Sequence, residues 1–180
     1  ALVTWSESSK EERINLLEKL LDIYKKRYSE MVEAISMEMG APMSWSRDSQ
    51  TSSGQSHLED FIVRLKEFKF DEQFSPGSNN RICYEPIGVC GLITPWNWPI
   101  NQIALKVVPG FATGCTMIHK PSEIAPMSAM LFAEMIDEAG FPAGVFNLVN
   151  GDGAGVGTDI STHPDICLLY TSPSPRDPSI

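Results

Sequence analysis

Between Val89 and Glu123 the chain runs through an apolar strand, a polar loop, an apolar helix, a second apolar strand and a second polar loop. That order admits few folds. Val89 to Ile93 and Cys115 to Ile118 are short apolar runs of strand length, and Ile100 to Phe111 between them carries apolar residues at helical spacing. Together they predict one βαβ unit. Its right-handed crossover lays the strands parallel, so both carboxyl ends open onto one crevice, the place where ligands bind in open α/β folds. Two polar loops empty there: Thr94-Pro95-Trp96-Asn97-Trp98-Pro99 and Lys120-Pro121-Ser122-Glu123.

The residue types in those loops point to chemistry. Lys120 offers a cation with hydrogen-bond donors, Ser122 a hydroxyl and Glu123 a carboxylate, a set suited to the hydroxyls of a ribose. Asn97 is a neutral amide on a loop stiffened by Pro95 and Pro99, so its NH2 can be held towards an oxygen that gains negative charge in a reaction. Spacing alone leaves plainer readings open. Lys120 also reads as a solvated lysine ahead of a proline turn, and Asn97 as a turn residue bonding its own backbone.

The run Pro86-Ile87-Gly88-Val89-Cys90-Gly91-Leu92-Ile93-Thr94-Pro95-Trp96-Asn97-Trp98-Pro99, followed by Lys120-Pro121-Ser122-Glu123, resembles the aldehyde dehydrogenase superfamily. The resemblance extends from about Trp5 to Ile166 and takes in Glu38-Met39-Gly40, Phe141-Pro142-Ala143-Gly144-Val145-Phe146-Asn147 and His163-Pro164-Asp165. It implies an α/β fold: a Rossmann-like parallel sheet of the aldehyde dehydrogenase type, here incomplete and preceded by amphipathic helices. It also implies an oxidoreductase that converts an aldehyde to a carboxylic acid with NAD or NADP, and a parent protein that is a homo-oligomer. By the same resemblance Asn97 stabilises the oxyanion of the aldehyde adduct, Lys120, Ser122 and Glu123 belong to the cofactor site, and Ile93, Thr94, Pro95 and Trp96 line the cofactor cleft.

A glycine cluster, Asn150-Gly151-Asp152-Gly153-Ala154-Gly155-Val156-Gly157, follows the strand expected at Val145 to Val149. After Gly151 and Gly153 the dinucleotide pattern G-x-G-x-x-G requires glycine at 156, where Val156 stands, so spacing alone reads as a glycine-rich turn into a helix from about Ala154 to Ser161. The resemblance places Gly153, Gly157 and Thr158 beside the adenine end of the cofactor. Ala154 and Gly155 stand where many members carry proline and threonine.

In that family a cysteine thiolate attacks the aldehyde, hydride leaves for the cofactor, and a glutamate-activated water hydrolyses the thioester. The resemblance places both groups beyond the point where this sequence departs from the family, and Cys90 and Cys115 sit in apolar strand patterns that read as core. None of His57, His119 and His163 is assigned as a base. From Cys167 to Asp177 the chain reads Cys-Leu-Leu-Tyr-Thr-Ser-Pro-Ser-Pro-Arg-Asp, which resembles a translated sequencing adapter joined to a gene. The expected organisation is therefore a partial cofactor-binding domain at 1–166, with 81–85 in an oligomerisation arm, and a non-native tail at 167–180. The amino end also reads as cut, because Ala1 enters a helix almost at once. The competing reading is a catalytically silent nucleotide-binding or structural module.

A net charge of −9 and the absence of a basic patch argue against nonspecific binding to nucleic acid or anionic membrane. Neither a signal peptide nor a membrane span is expected. The four cysteines, Cys83, Cys90, Cys115 and Cys167, lack paired spacing and histidine neighbours at metal-ligand intervals, so no metal site is expected and a reducing cytoplasm fits. Ser8 or Ser9 with Glu11 or Glu12 forms a capping-box pattern, and apolar residues from Ile14 to Ile35 recur at helical spacing up to Gly40. Lys25-Lys26-Arg27 reads as a solvated turn between two such helices. Trp45 to Phe68 predicts a further helix, Phe74 to Asn80 a polar loop, and Arg81 to Tyr84 a strand.

Overall fold

The computed structural model describes residues 1–171. Helix α1 (Leu2–Ser6) leads into α2 (Lys10–Lys26), and Ser9 caps α2 by accepting a hydrogen bond from the Glu12 amide at 3.1 Å. At Arg27 the chain breaks and resumes as α3 (Tyr28–Met39), which ends at Gly40 with φ 71°. The basic junction is less solvent-facing than its sequence predicts. Arg27 pairs with Glu30 at 2.8 Å and reaches across to Glu134 at 2.9 Å and Glu138 at 3.7 Å, and Lys25 pairs with Glu59 at 2.9 Å.

The helix expected from Trp45 to Phe68 is in three parts: α4 (Met43–Trp45), a π-helical turn over Ser46–Thr51, and α5 (Ser52–Glu67). The widened turn buries Ser46, Gln50 and Thr51, and Tyr24 donates to the Thr51 carbonyl at 2.8 Å. Polar residues at those positions carry no apolar signal, which is why periodicity passed over the break.

Strand β1 (Asp71–Gln73) pairs antiparallel with β2 (Arg81–Cys83) in a two-stranded ribbon of its own. The parallel layer begins at Val89. It comprises β3 (Val89–Thr94), β4 (Thr116–Pro121), β5 (Phe146–Leu148) and β6 (Leu168–Tyr170), in the order β5-β4-β3-β6, with every pairing parallel. Helix α6 (Pro99–Ala112) joins β3 to β4, and α7 (Met127–Ala139) joins β4 to β5. A second π-helical turn at Gly153–Gly157 opens α8 (Thr158–Thr162). Of the tail expected at 167–180, Leu168–Tyr170 pairs with Cys90 to Leu92, and residues 172–180 lie outside the described residues.

The core lies on the α6 face of the sheet, where Leu17, Leu20, Tyr24, Ile35, Leu58, Ile103, Val107, Phe111 and Phe132 are buried with Cys90, Leu92 and Met117. Gly91 points to the other face. There a Cβ would stand 2.7 Å from Ile160 Cγ2, so glycine lets α8 approach the central strand. Among the described residues no helix is long and apolar enough to cross a membrane.

Candidate functional site

Strands β3 and β4 end side by side, with Ile93 opposite Lys120 and Thr94 opposite Pro121. Asn97, Lys120 and Glu123 thus come to one edge of the sheet, as the βαβ pattern requires. Lys120 is only 3% exposed, and its Nζ donates to the Pro121 carbonyl at 3.0 Å and to Glu123 Oε2 at 3.3 Å. An ammonium removed from water needs such partners. It carries three hydrogens, so these two bonds leave a donor for a ligand. Glu123 is exposed; its own backbone amide first, and Lys120 second, hold its carboxyl below the usual carboxylate range.

Behind Lys120 lies a neutral buried pair. Thr94 Oγ1 and His119 Nε2 are 2.9 Å apart, and His119 is fully buried. Burial, and then the charges of Lys106 and Lys120, lower its pKa to about 3. A ring so resistant to protonation props the strand end.

The loop after β3 presents Asn97 to solvent, and the side-chain amide has no hydrogen-bond partner among the described residues. Trp98 beside it is held firmly. Its Nε1 donates to Ser53 Oγ at 3.2 Å, and its ring meets Trp45 edge-on with centroids 5.7 Å apart. Pro99 then starts α6 at a position that needs no amide hydrogen. Of the remaining residues expected in the cleft, Ile93 and Pro95 are half-buried and Trp96 is exposed.

The glycine loop also reaches this edge, through Gly157. A Cβ there would lie 3.9 Å from Lys120 Cδ, so a larger side chain would spread over the lysine. Gly153 and Thr158 are exposed, and the Thr158 hydroxyl donates to the Gly153 carbonyl at 3.4 Å. Asp152 accepts from the Gly155 amide at 2.7 Å, placing a carboxylate where a phosphate cradle would need a free donor. At Gly157 the loop packs beside Lys120 with its amide bonded to the Asp152 carbonyl at 3.1 Å. Ser122 is engaged locally, accepting from the Ile124 amide at 3.3 Å.

Two features of this edge gave no signal in the sequence. His57 on α5 and Asn101 on α6 form a hydrogen bond of 2.7 Å between Nε2 and Oδ1, one turn beyond the Ser53 to Trp98 contact. The elements that carry them are far apart in sequence, and neither belongs to a motif. The second feature is the Thr94 and His119 pair, which becomes visible only once the strand register is known. The buried thiols behave as core: Cys90 and Cys115 are 5% and 3% exposed. The hydrogen bond with Cys115, and then burial, hold the Cys90 thiol well above the ordinary thiol range.

A buried lysine amine and an exposed carboxylate suit the diol of a ribose, and the amide of Asn97 at the same edge suits a developing oxyanion. The model of the aldehyde dehydrogenase family matches residues 1–174. A 3-succinoylsemialdehyde-pyridine dehydrogenase from Pseudomonas sp is 47% identical over 173 residues, covering 96% of this chain and 36% of that protein. Among solved structures, an aldehyde dehydrogenase from Bartonella henselae superposes with a TM-score of 0.91 at 54% identity, covering 93% of this chain and 36% of the other. A mutant of aldehyde dehydrogenase C from Pseudomonas syringae, complexed with NAD+ and octanal, gives 0.91 at 43% identity, covering 95% and 35%. The chain spans about a third of the length of the relatives it matches.

Proposed function

The chain belongs to the aldehyde dehydrogenase family, and we propose on that premise that it is the cofactor-binding part of an enzyme that oxidises an aldehyde to a carboxylic acid. The observation that carries this reading is the placement of Lys120 with Glu123, and of Asn97, at one carboxyl edge of a parallel sheet. The nicotinamide cofactor, NAD or NADP, supplies a hydride acceptor when bound. Lys120 and Glu123 hold its adenosine ribose, Ile93, Thr94, Pro95 and Trp96 line its cleft, and Gly153, Gly157 and Thr158 flank its adenine end. The carboxylate of Glu123 accepts from a 2'-hydroxyl and repels a 2'-phosphate, which favours NAD.

Asn97 donates its amide hydrogens to the aldehyde oxygen as charge grows there, an interaction that strengthens only along the reaction coordinate. The nucleophilic cysteine and the glutamate that activates water belong to the length the relatives have beyond this chain; Cys90 and Cys115 are packed into the core, Cys83 stands on the two-stranded ribbon, and Cys167 bonds Val89 at the opposite end of β3 from Asn97. The ribbon of β1 and β2 stands outside the main sheet and fits an arm reaching a second copy, so the parent protein is a homo-oligomer. Its unpaired thiols fit a reducing, cytoplasmic setting. The test is NADH formation from an aldehyde by the uninterrupted parent protein, with the matching acid identified as product. A parent that binds NAD but forms neither NADH nor acid from any aldehyde offered overturns the reading.

A further inference from the structure

Strands β3 and β4 carry the two halves of the candidate site, and a buried side-chain bond ties them together just below it. Leu92 stands directly opposite His119, and Thr94, the last residue of β3, is two residues further on and therefore on the same face of the sheet. Thr94 Oγ1 and His119 Nε2 are 2.9 Å apart, with the two residues 3% and 0% exposed. Lys120 follows His119 directly and so turns to the other face. The His119 carbonyl also accepts from the Val149 amide at 2.9 Å, just past the end of β5, so this one residue is bonded to its neighbours on both sides.

An imidazole is an expensive side chain to bury at this position. An aliphatic residue would fill the space with no polar group to satisfy, whereas His119 leaves Nδ1 without a partner among the described residues. Burial pushes the ring down to about 3, so the bond to Thr94 joins two neutral groups. A hydrogen bond of this kind is directional, and in a dry layer it holds only one offset of the two strand ends. On one of those ends lie residues 94–96, and on the other Lys120 and Glu123.

We propose that His119 is a positioning residue for the cofactor: through Thr94 it fixes the end of β3 against the end of β4, so that residues 94–96 and Lys120 grip NAD together. The proposal rests on the functional reading above, in which both strand ends hold NAD. His119 acts through Thr94 and touches neither the cofactor nor the aldehyde, so its loss falls on cofactor affinity more than on turnover.

The test is NAD titration, with kcat at saturating NAD, on the uninterrupted parent protein and on its His119→Val, His119→Gln, Thr94→Val and Thr94→Ser variants. His119→Val is expected to raise the Kd for NAD roughly tenfold, the loss typical of one hydrogen bond, with a smaller change in kcat. His119→Gln presents an amide in place of the ring nitrogen and Thr94→Ser keeps the hydroxyl, so both should retain most of the affinity. Thr94→Val should match His119→Val, and the double valine variant should raise Kd no further. A merely structural role would lower the thermal midpoint of the valine variants and leave Kd in place. Should His119→Val not fold, the comparison of Thr94→Val with Thr94→Ser decides the matter. A Kd within about twofold of wild type in the folded valine variants overturns the proposal, and so do effects that add in the double variant. Lys120→Ala separates the two readings: if it weakens NAD while the valine variants do not, the proposal falls and the functional reading stands, and if wild type does not bind NAD, both fall.

Discussion

Lys120, at 3% exposure, gives hydrogen bonds to the Pro121 carbonyl and the Glu123 carboxylate in place of the water it has lost. His119, behind it, has no anion to compensate burial, and so it stays neutral. His119 carries a consequence for stability. Its folded pKa of about 3 lies below the ordinary imidazole value of 6.5, so as pH falls from 6.5 the unfolded chain takes up a proton that the folded chain refuses. Stability contributed by keeping this ring neutral is complete above pH 6.5 and is lost progressively as pH falls towards 3, by up to about 1.4 kcal/mol per pH unit. His119→Asn should flatten this part of the stability profile, measured as denaturation midpoints against pH. A slope identical in the variant would show that the ring already carries its proton in the fold. The neutrality of His119 was not legible from its sequence position, since the groups that enclose it come from β3, β5 and α6. The residue types of Lys120 and Glu123 were legible because they occupy the end of one apolar run.

At the scale of elements, β3, α6 and β4 follow the sequence closely, because two apolar runs of strand length flanking a helical pattern fit strands of a parallel sheet covered on both faces. The joints between elements were less visible, and close approach explains why. Gly54 in α5 is an example: alanine has the higher helix propensity, by about 1 kcal/mol, yet its Cβ would collide with Tyr24 and Ile100. Gly54→Ala should therefore destabilise the protein by about 1 to 3 kcal/mol, and thermal unfolding showing a gain instead would mean that α5 and α6 are not in contact there. Glu38 makes another joint: its Oε2 accepts from the Met127 amide at 2.6 Å and the Ser128 amide at 3.1 Å, capping α7 from the end of α3. This gives a physical reason for glutamate in the run Glu38-Met39-Gly40. Glu38→Ala should cost about 1 kcal/mol in denaturant unfolding, and an unchanged midpoint would show that the cap contributes nothing. The π-helical turn at Ser46–Thr51 and the ion pairs of Arg27 were hidden for the same reason as these joints: each depends on a partner that sequence order does not bring close.

On the scale of the whole molecule, the sheet brings an oxyanion donor and a ribose-holding pair to one edge, while the proposed chemistry needs a nucleophile that the core cysteines cannot supply. Residues 1–180 alone should therefore form no NADH from an aldehyde above a blank. Activity that disappears on mutation of Cys90 or Cys115 alone would overturn this division. The central claim is that Asn97 acts on the reacting oxygen whereas Lys120 acts on the cofactor, and it is tested most directly by steady-state kinetics with NAD titration on Asn97→Ala and Lys120→Ala in the uninterrupted parent protein. The account predicts that Asn97→Ala loses on the order of 3 kcal/mol of transition-state stabilisation, seen as a fall in kcat of about a hundredfold with NAD affinity retained. Lys120→Ala should chiefly weaken NAD, because the ribose it holds is unchanged by the reaction. Asn97→Ala that binds NAD poorly yet turns over normally at saturation would contradict the account.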